Sequence, residues 1–421
     1  MTDLPTEETE PTEPTDSGDA PEDDAGSLFQ LAETAGLFEN EPSQRVPEDS
    51  SQWLSDESFL EAGEPDVRPP GPGLPESVAW MAGVLGLQLF AAAVVFFVLL
   101  AMELPQGPPT AKFLERLQRE NFVALFAGIQ AVSVIGIALA AYLRLGRERS
   151  RKLPLGPIPW QHLLIVFVAV LPMVALAAQL NVAAKSAWDA FTQHVPPLRQ
   201  MEEMSSMKAV QEMAENVPLW GLLLMIAVAP AIAEELVFRG IIGRGLVARW
   251  GLPAGVAMTA LMFAAMHVYP PQVFALLPLA VFLHLVYIAS RSFWAPMLVH
   301  FLNNAFAVVV LKALLEDKEQ LQKLQEMEQA GFSGVMFVSS AVCVTTLMLL
   351  TWKTRMRFLY DDGEEWDPGY PAVERPSESA GVVGECRAAG GGPWVMAGVG
   401  LAVFLAGIAL VAVMKDAGWN V

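Results

Sequence analysis

The chain has 421 residues, is 53% hydrophobic, and carries a mean hydropathy of +0.39, a formal net charge of −20 and only two cysteines. Repeated uncharged apolar runs of eighteen or more residues argue against a soluble enzyme and predict an all-α fold, a polytopic membrane bundle of about eight to nine helices. The negative charge argues against a nucleic-acid partner, and Cys343 and Cys386 offer neither a disulfide framework nor a thiolate metal site.

Residues 1–76 form an acidic tail rich in Glu, Asp, Pro, Thr and Ser, with Arg45 as the one basic residue before residue 67. Such a segment cannot bury enough apolar surface to fold alone, so it is expected to be disordered. Two apolar islands, Leu28 through Phe38 and Trp53 through Leu60, read as sticky spots or as docking points for a protein partner. The N-terminus lacks an apolar signal core, so the first span is expected to act as an uncleaved anchor. Pro69-Pro70-Gly71-Pro72-Gly73 stops any helix before that span.

The transmembrane bundle is expected over 77–352, with a further helix at 392–421 beyond a polar loop at 353–391. Nine apolar segments are expected, at about 78–102, 122–144, 162–184, 218–248, 252–269, 271–290, 293–313, 333–352 and 394–414. Basic residues gather in the loop holding Arg144, Arg147, Arg149, Arg151 and Lys152, and in that holding Lys353, Arg355, Arg357, Arg375 and Arg387. With nine spans both loops, the turns near 250 and 291, and the tail share one side. The positive-inside tendency then predicts a cytoplasmic N-terminus in a bacterial plasma membrane, with the lipid bilayer as solvent. Between spans three and four, the polar residues 185–216 contain Met201, Met204, Met207 and Met213, whose spacing suggests an amphipathic helix at the membrane surface. By parity it shares the outer face with the charged extension at 314–330.

The fourth span contains Glu234, Glu235 and Arg239, and later apolar segments contain His267, His300 and Asn304. Ionisable groups at bilayer depth cost roughly 2.5–3.5 kcal/mol each, so they usually mark a working site. Glu235 and Arg239 stand four apart on one helix face, in the favourable acid-before-base order. Glu234 is rotated by about 100° and points elsewhere, toward a cavity. If the chain turns at Trp250-Gly251, Glu234 sixteen residues before Trp250 and His267 sixteen after Gly251 reach the same height. A carboxylate and an imidazole so placed can share a water and draw a proton from it, with Phe263 packed beside His267. His300 and Asn304 project from one face of the seventh span as a pair of hydrogen-bond donors suited to an oxyanion. His284 has no polar companion one turn away and reads as packing, and His162 and His194 carry no signal.

Glu234-Glu235-x-x-x-Arg239, Phe263-x-x-x-His267 and His300-x-x-x-Asn304, in that order, resemble the CPBP family of CAAX prenyl endopeptidases, bacteriocin-processing and lysostaphin-resistance-like membrane proteins. The resemblance covers about 218–310. It implies an intramembrane endopeptidase in which Glu234 and His267 activate water and His300 and Asn304 form the oxyanion site, acting on a membrane-associated peptide or protein. No cofactor is expected. A zinc enzyme using the same residues is disfavoured, because the sequence has no His-Glu-x-x-His helix and a catalytic zinc usually takes three well-placed ligands. The alternative is a catalytically silent binding or immunity protein of the same fold. A transporter is less favoured, since no inverted repeat is present.

Overall fold

The computed structural model describes residues 69–103, 109–147, 149–195, 198, 206–317, 319 and 331–417. The tail islands, Met201, Met204, the Met207 side chain and most of the 314–330 extension lie outside these residues.

The described residues form an all-α membrane bundle with a small two-stranded β-ribbon. In order come α1 (Leu74–Met102), α2 (Ala111–Glu120), α3 (Phe122–Leu145), α4 (Trp160–Thr192) and α5 (Ser206–Asn216). A long helical stretch follows from Leu219, in which π-helical turns at Leu223–Val228 and Phe238–Gly243 flank α6 (Ala229–Val237) and lead into α7 (Arg244–Ala265). Then come α8 (Pro270–Ser290), α9 (Trp294–Glu316), α10 (Gly334–Lys353), the antiparallel strands β1 (Met356–Leu359) and β2 (Val383–Cys386), and α11 (Gly391–Asp416).

Among the described residues eight helices are long and apolar enough to cross a membrane, where nine segments were expected. The difference lies at Gly251, which breaks the 47-residue stretch Leu219–Ala265 with a φ of 77°. Glycine adopts that conformation without steric cost. The two arms then run back against each other, and Gly255 lies so close to the Val247 backbone that a β-carbon there would collide with it. The expected antiparallel hairpin is therefore present, with Pro253 in the first turn of its second arm, where a missing N–H is harmless.

Other boundaries follow local chemistry. Pro270 and Pro271 open α8, and Arg291 closes it in the left-handed conformation at a φ of 49°. The Ser333 hydroxyl caps α10 by accepting from the Met336 amide at 3.4 Å. The sequence reading passed over α2, which is only 10 residues long and too charged to read as a span; Thr110 caps it by accepting from the Phe113 amide at 3.3 Å. The polar 185–216 segment is not one surface helix. Its first part extends α4 to Thr192, and its last part is α5. Met213 and Ala214 of α5 are buried against Leu222 and Val308, and Lys312 of α9 donates to the Ala214 carbonyl at 2.7 Å.

The hairpin and α8 are the most enclosed elements, whereas α1, α3 and α11 leave large apolar side chains such as Leu89, Phe97, Leu139 and Val399 exposed. Such faces suit lipid. The loops read as sharing one side do meet at one end of the bundle. There Arg144 pairs with Glu76 at 2.8 Å, the Phe293 amide donates to the Pro154 carbonyl at 2.7 Å, and Arg244 pairs with Glu374 at 2.9 Å. Arg249, at the hairpin tip, donates to the carbonyls of Pro70 and Pro72 at 3.0 and 3.3 Å.

Candidate active site

The two π turns frame the acidic motif. Each π turn widens the helix by one residue, a feature found mostly at functional sites. The first has a visible cause. Pro230 lacks an N–H and cannot bond the carbonyl four residues earlier, that of Ile226. That carbonyl instead accepts from the Asn304 side-chain amide at 3.0 Å, while the Asn303 amide donates to Asn304 Oδ1 at 3.2 Å. Asn304 thus ties α9 to the π turn by satisfying a backbone group that a helix would otherwise orphan.

Within α6 the adjacent glutamates have opposite surroundings. Glu235 is fully buried, and its Oε1 accepts from Arg239 Nη1 at 3.0 Å. Arg239, equally buried, also donates from Nη2 to the Ala280 carbonyl at 3.0 Å and lies 4.6 Å over the Phe263 ring. These contacts hold the guanidinium in place, as a buried charge requires. The same Glu235 Oε1 is 2.8 Å from His300 Nδ1. An ionised carboxylate only accepts, so Nδ1 carries the hydrogen of this contact and the imidazole presents Nε2 outward. His300 Nε2 lies 4.0 Å from Glu234 Oε2, and the Glu234 side chain is 33% exposed against 5% for His300. Glu234 is therefore the carboxylate open to a small molecule, and Glu235 the sealed one.

Phe263 connects the two arms. Its ring meets Phe238 edge-on at 5.3 Å, His300 edge-on at 5.8 Å, and His267 at 5.6 Å. His267 and His300 thus flank one aromatic ring. His267 sits in the turn after α7 rather than on a helix. The Tyr269 amide donates to the His267 carbonyl at 2.6 Å across Val268, whose φ is 62°. That is a three-residue turn with a positive-φ centre, rare for any residue and strained for a β-branched one. Such strain costs of order 1–3 kcal/mol and gathers at functional sites. His267 Nδ1 is buried with no hydrogen-bond partner among the described residues.

By position in the sequence, Glu234 and His300 stand at different distances from their loops, the hairpin tip being much farther than the turn at Arg291. The structure resolves this by letting the hairpin protrude. Arg244 and Arg291 both reach Glu374, which levels Arg244 with the turn at Arg291 and leaves residues 245–251 beyond it. Polar and ring contacts join Glu234, Glu235, Arg239, Phe263, His267 and His300 in one chain of neighbours, and Asn304 lies one helical turn beyond His300. His284 does not join their hydrogen bonds: fully buried on α8, it packs against Gly243 and edge-on at 6.3 Å to Tyr287, a companion three residues on that the sequence reading overlooked. His162, read as carrying no signal, is buried and joins α4 to α10, with Nε2 3.4 Å from the Thr351 carbonyl and 3.3 Å from Thr354 Oγ1.

The sequence reading missed Ile226, Ala280 and Asn303 as partners of the site. Only the first had a signal, in Pro230 four residues on. Among the described residues no group of three His, Cys, Asp or Glu side chains is arranged to hold a metal ion.

Residues 216–306 match the family model described as Rce1-like, type II CAAX prenyl endopeptidase. No curated protein and no solved structure matches the chain. The matched segment contains every residue of the site and leaves the β-ribbon outside. Its likeness is to a protease family, which supports a membrane endopeptidase kind of function in an integral multi-pass protein.

Proposed function

We propose that the chain is an intramembrane endopeptidase that hydrolyses a peptide bond of a membrane-associated substrate with a water activated by Glu234. The observation that carries this reading is the split between two adjacent carboxylates. Glu235 is sealed against Arg239 and His300, while Glu234 is partly open and 4.0 Å from the free nitrogen of His300.

In this reading Glu234 takes a proton from water as the water oxygen attacks the scissile carbonyl carbon. His267, across Phe263, helps to hold that water. The negative charge that forms on the carbonyl oxygen is met by His300 in its imidazolium form, donating from Nε2, with Asn304 beside it. The carbon–nitrogen bond then breaks, and Glu234 returns the proton to the leaving amine. With His300 protonated, Glu234, Glu235, Arg239 and His300 sum to zero charge, which suits a site inside a bilayer. Basic residues at the end of the bundle that holds Pro70, Arg147, Arg291 and Glu374 support placing that end, and the N-terminus, in the cytoplasm.

Glu234→Gln keeps the shape of the side chain and removes its basicity. Membrane-fraction peptides from cells carrying the native chain should include cleavage products that vanish with Glu234→Gln, while the variant still extracts as folded protein. Identical products from both, with purified Glu234→Gln cleaving at the native rate, would remove the glutamate mechanism. An absence of products from either would favour the silent binding protein.

A further inference from the structure

We propose that Glu374, in the segment between β1 and β2, is a positioning residue that sets the height of α9 against the α6–α7 arm and so holds His300 against Glu235. The inference rests on the functional reading above for its catalytic part only. Glu374 is nearly fully buried, although it lies in a polar connection outside the segment that matches the protease family. Its Oε1 accepts from Arg244 Nη1 at 2.9 Å, and its backbone carbonyl accepts from Arg291 Nη1 at 2.8 Å. The next residue completes the clamp, Arg375 Nε donating to the Arg291 carbonyl at 3.2 Å.

The two clamped arginines are matched in sequence position. Arg244 is nine residues after Glu235, and Arg291 is nine residues before His300. At about 1.5 Å per helical residue, each arm spans at most roughly 13–14 Å from clamp to site. A single residue thus grips two elements at equal distance from the 2.8 Å contact between Glu235 and His300. The layer between is filled: His284 and Tyr287 are fully buried, with His284 pressed on Gly243 of the second π turn. Close-packed interiors transmit displacement, so a shift at the clamp is expected to reach the pair.

Glu374→Gln keeps an acceptor for Arg244 and leaves the backbone contact to Arg291 intact, but it removes the charge that holds Arg244. The double variant Glu374→Leu with Arg244→Met removes both charges together, which buried pairs tolerate far better than loss of one partner, and it covers failure of the single variant to fold. The full chain in detergent, labelled at histidine nitrogen, reports the Glu235 contact through the His300 Nδ1 resonance, assigned with His300→Gln. We expect that resonance to shift in either variant, and kcat to fall by about 10²-fold with KM little changed, as for a small misplacement of catalytic groups. An unmoved resonance in folded variants overturns the clamp whether or not the native chain cleaves peptides. A moved resonance with native kcat overturns its catalytic part. A native chain that cleaves nothing, with a resonance that still shifts, leaves the clamp standing and removes the protease reading instead.

Discussion

Glu234 and Glu235 are neighbours in sequence, yet a rotation of about 100° sends one to an open face and the other into a sealed contact with Arg239 and His300. Asn304 joins structure and chemistry, because its amide donates to the Ile226 carbonyl, which Pro230 cannot serve as a donor four residues on. Asn304→Ala should lower stability by about 1 kcal/mol, the low end for stranding an acceptor, since this contact is only part-buried, and kcat by about 10²-fold, as for loss of one oxyanion donor. Adding Pro230→Ala supplies a backbone N–H for Ile226 and should recover the melting temperature while kcat stays low. Recovery of both together would make Asn304 purely a brace for the π turn.

At the scale of elements, the site depends on irregular ones: two π turns, a hairpin broken at Gly251, and the strained turn after His267. The turn gives the clearest test. Val268 holds a φ of 62°, which a β-branched side chain resists and glycine does not. Val268→Gly should therefore stabilise the chain by about 1 kcal/mol after the added freedom of the unfolded chain is counted, with turnover little changed because the turn keeps its conformation and His267 its place. Thermal unfolding and turnover measured on the same purified sample check this. A destabilised Val268→Gly protein would show that the turn carries no strain, and a stabilised one with lost turnover would show that the valine side chain itself serves the site.

For the whole molecule, the end of the bundle that gathers Pro70, Pro154, Arg244, Arg291 and Glu374 acts as the frame from which the site is suspended. Residues 1–66 form a separate compositional unit, and removing them should leave the melting temperature and the turnover of the remaining chain within about two-fold, since so acidic and polar a segment buries little. Extending the deletion through Gly73 should lower the melting temperature, because Arg249 then loses the Pro70 and Pro72 carbonyls and the hairpin tip loses its cover. Loss of folded protein on the shorter deletion would show that the tail islands pack on the core.

The class of the molecule was legible from composition and hydropathy, because uncharged runs of about twenty residues have few structures open to them in a bilayer. The sequence by itself also determined the turn at Gly251 and the pairing of Glu235 with Arg239, since both follow from local geometry: one backbone angle and one helical turn. The order of its three motifs pointed to the family whose model matches 216–306. What depended on tertiary structure was which groups meet across helices. His300 reaches Glu235 only because the hairpin protrudes past the turn at Arg291, Asn304 reaches Ile226 only because a π turn releases that carbonyl, and Glu374 is buried only because its segment folds onto two arginines. Helical periodicity orders side chains around one axis but carries no information on how far one helix slides along another. That slide is set by packing and by buried polar contacts between residues far apart in the chain.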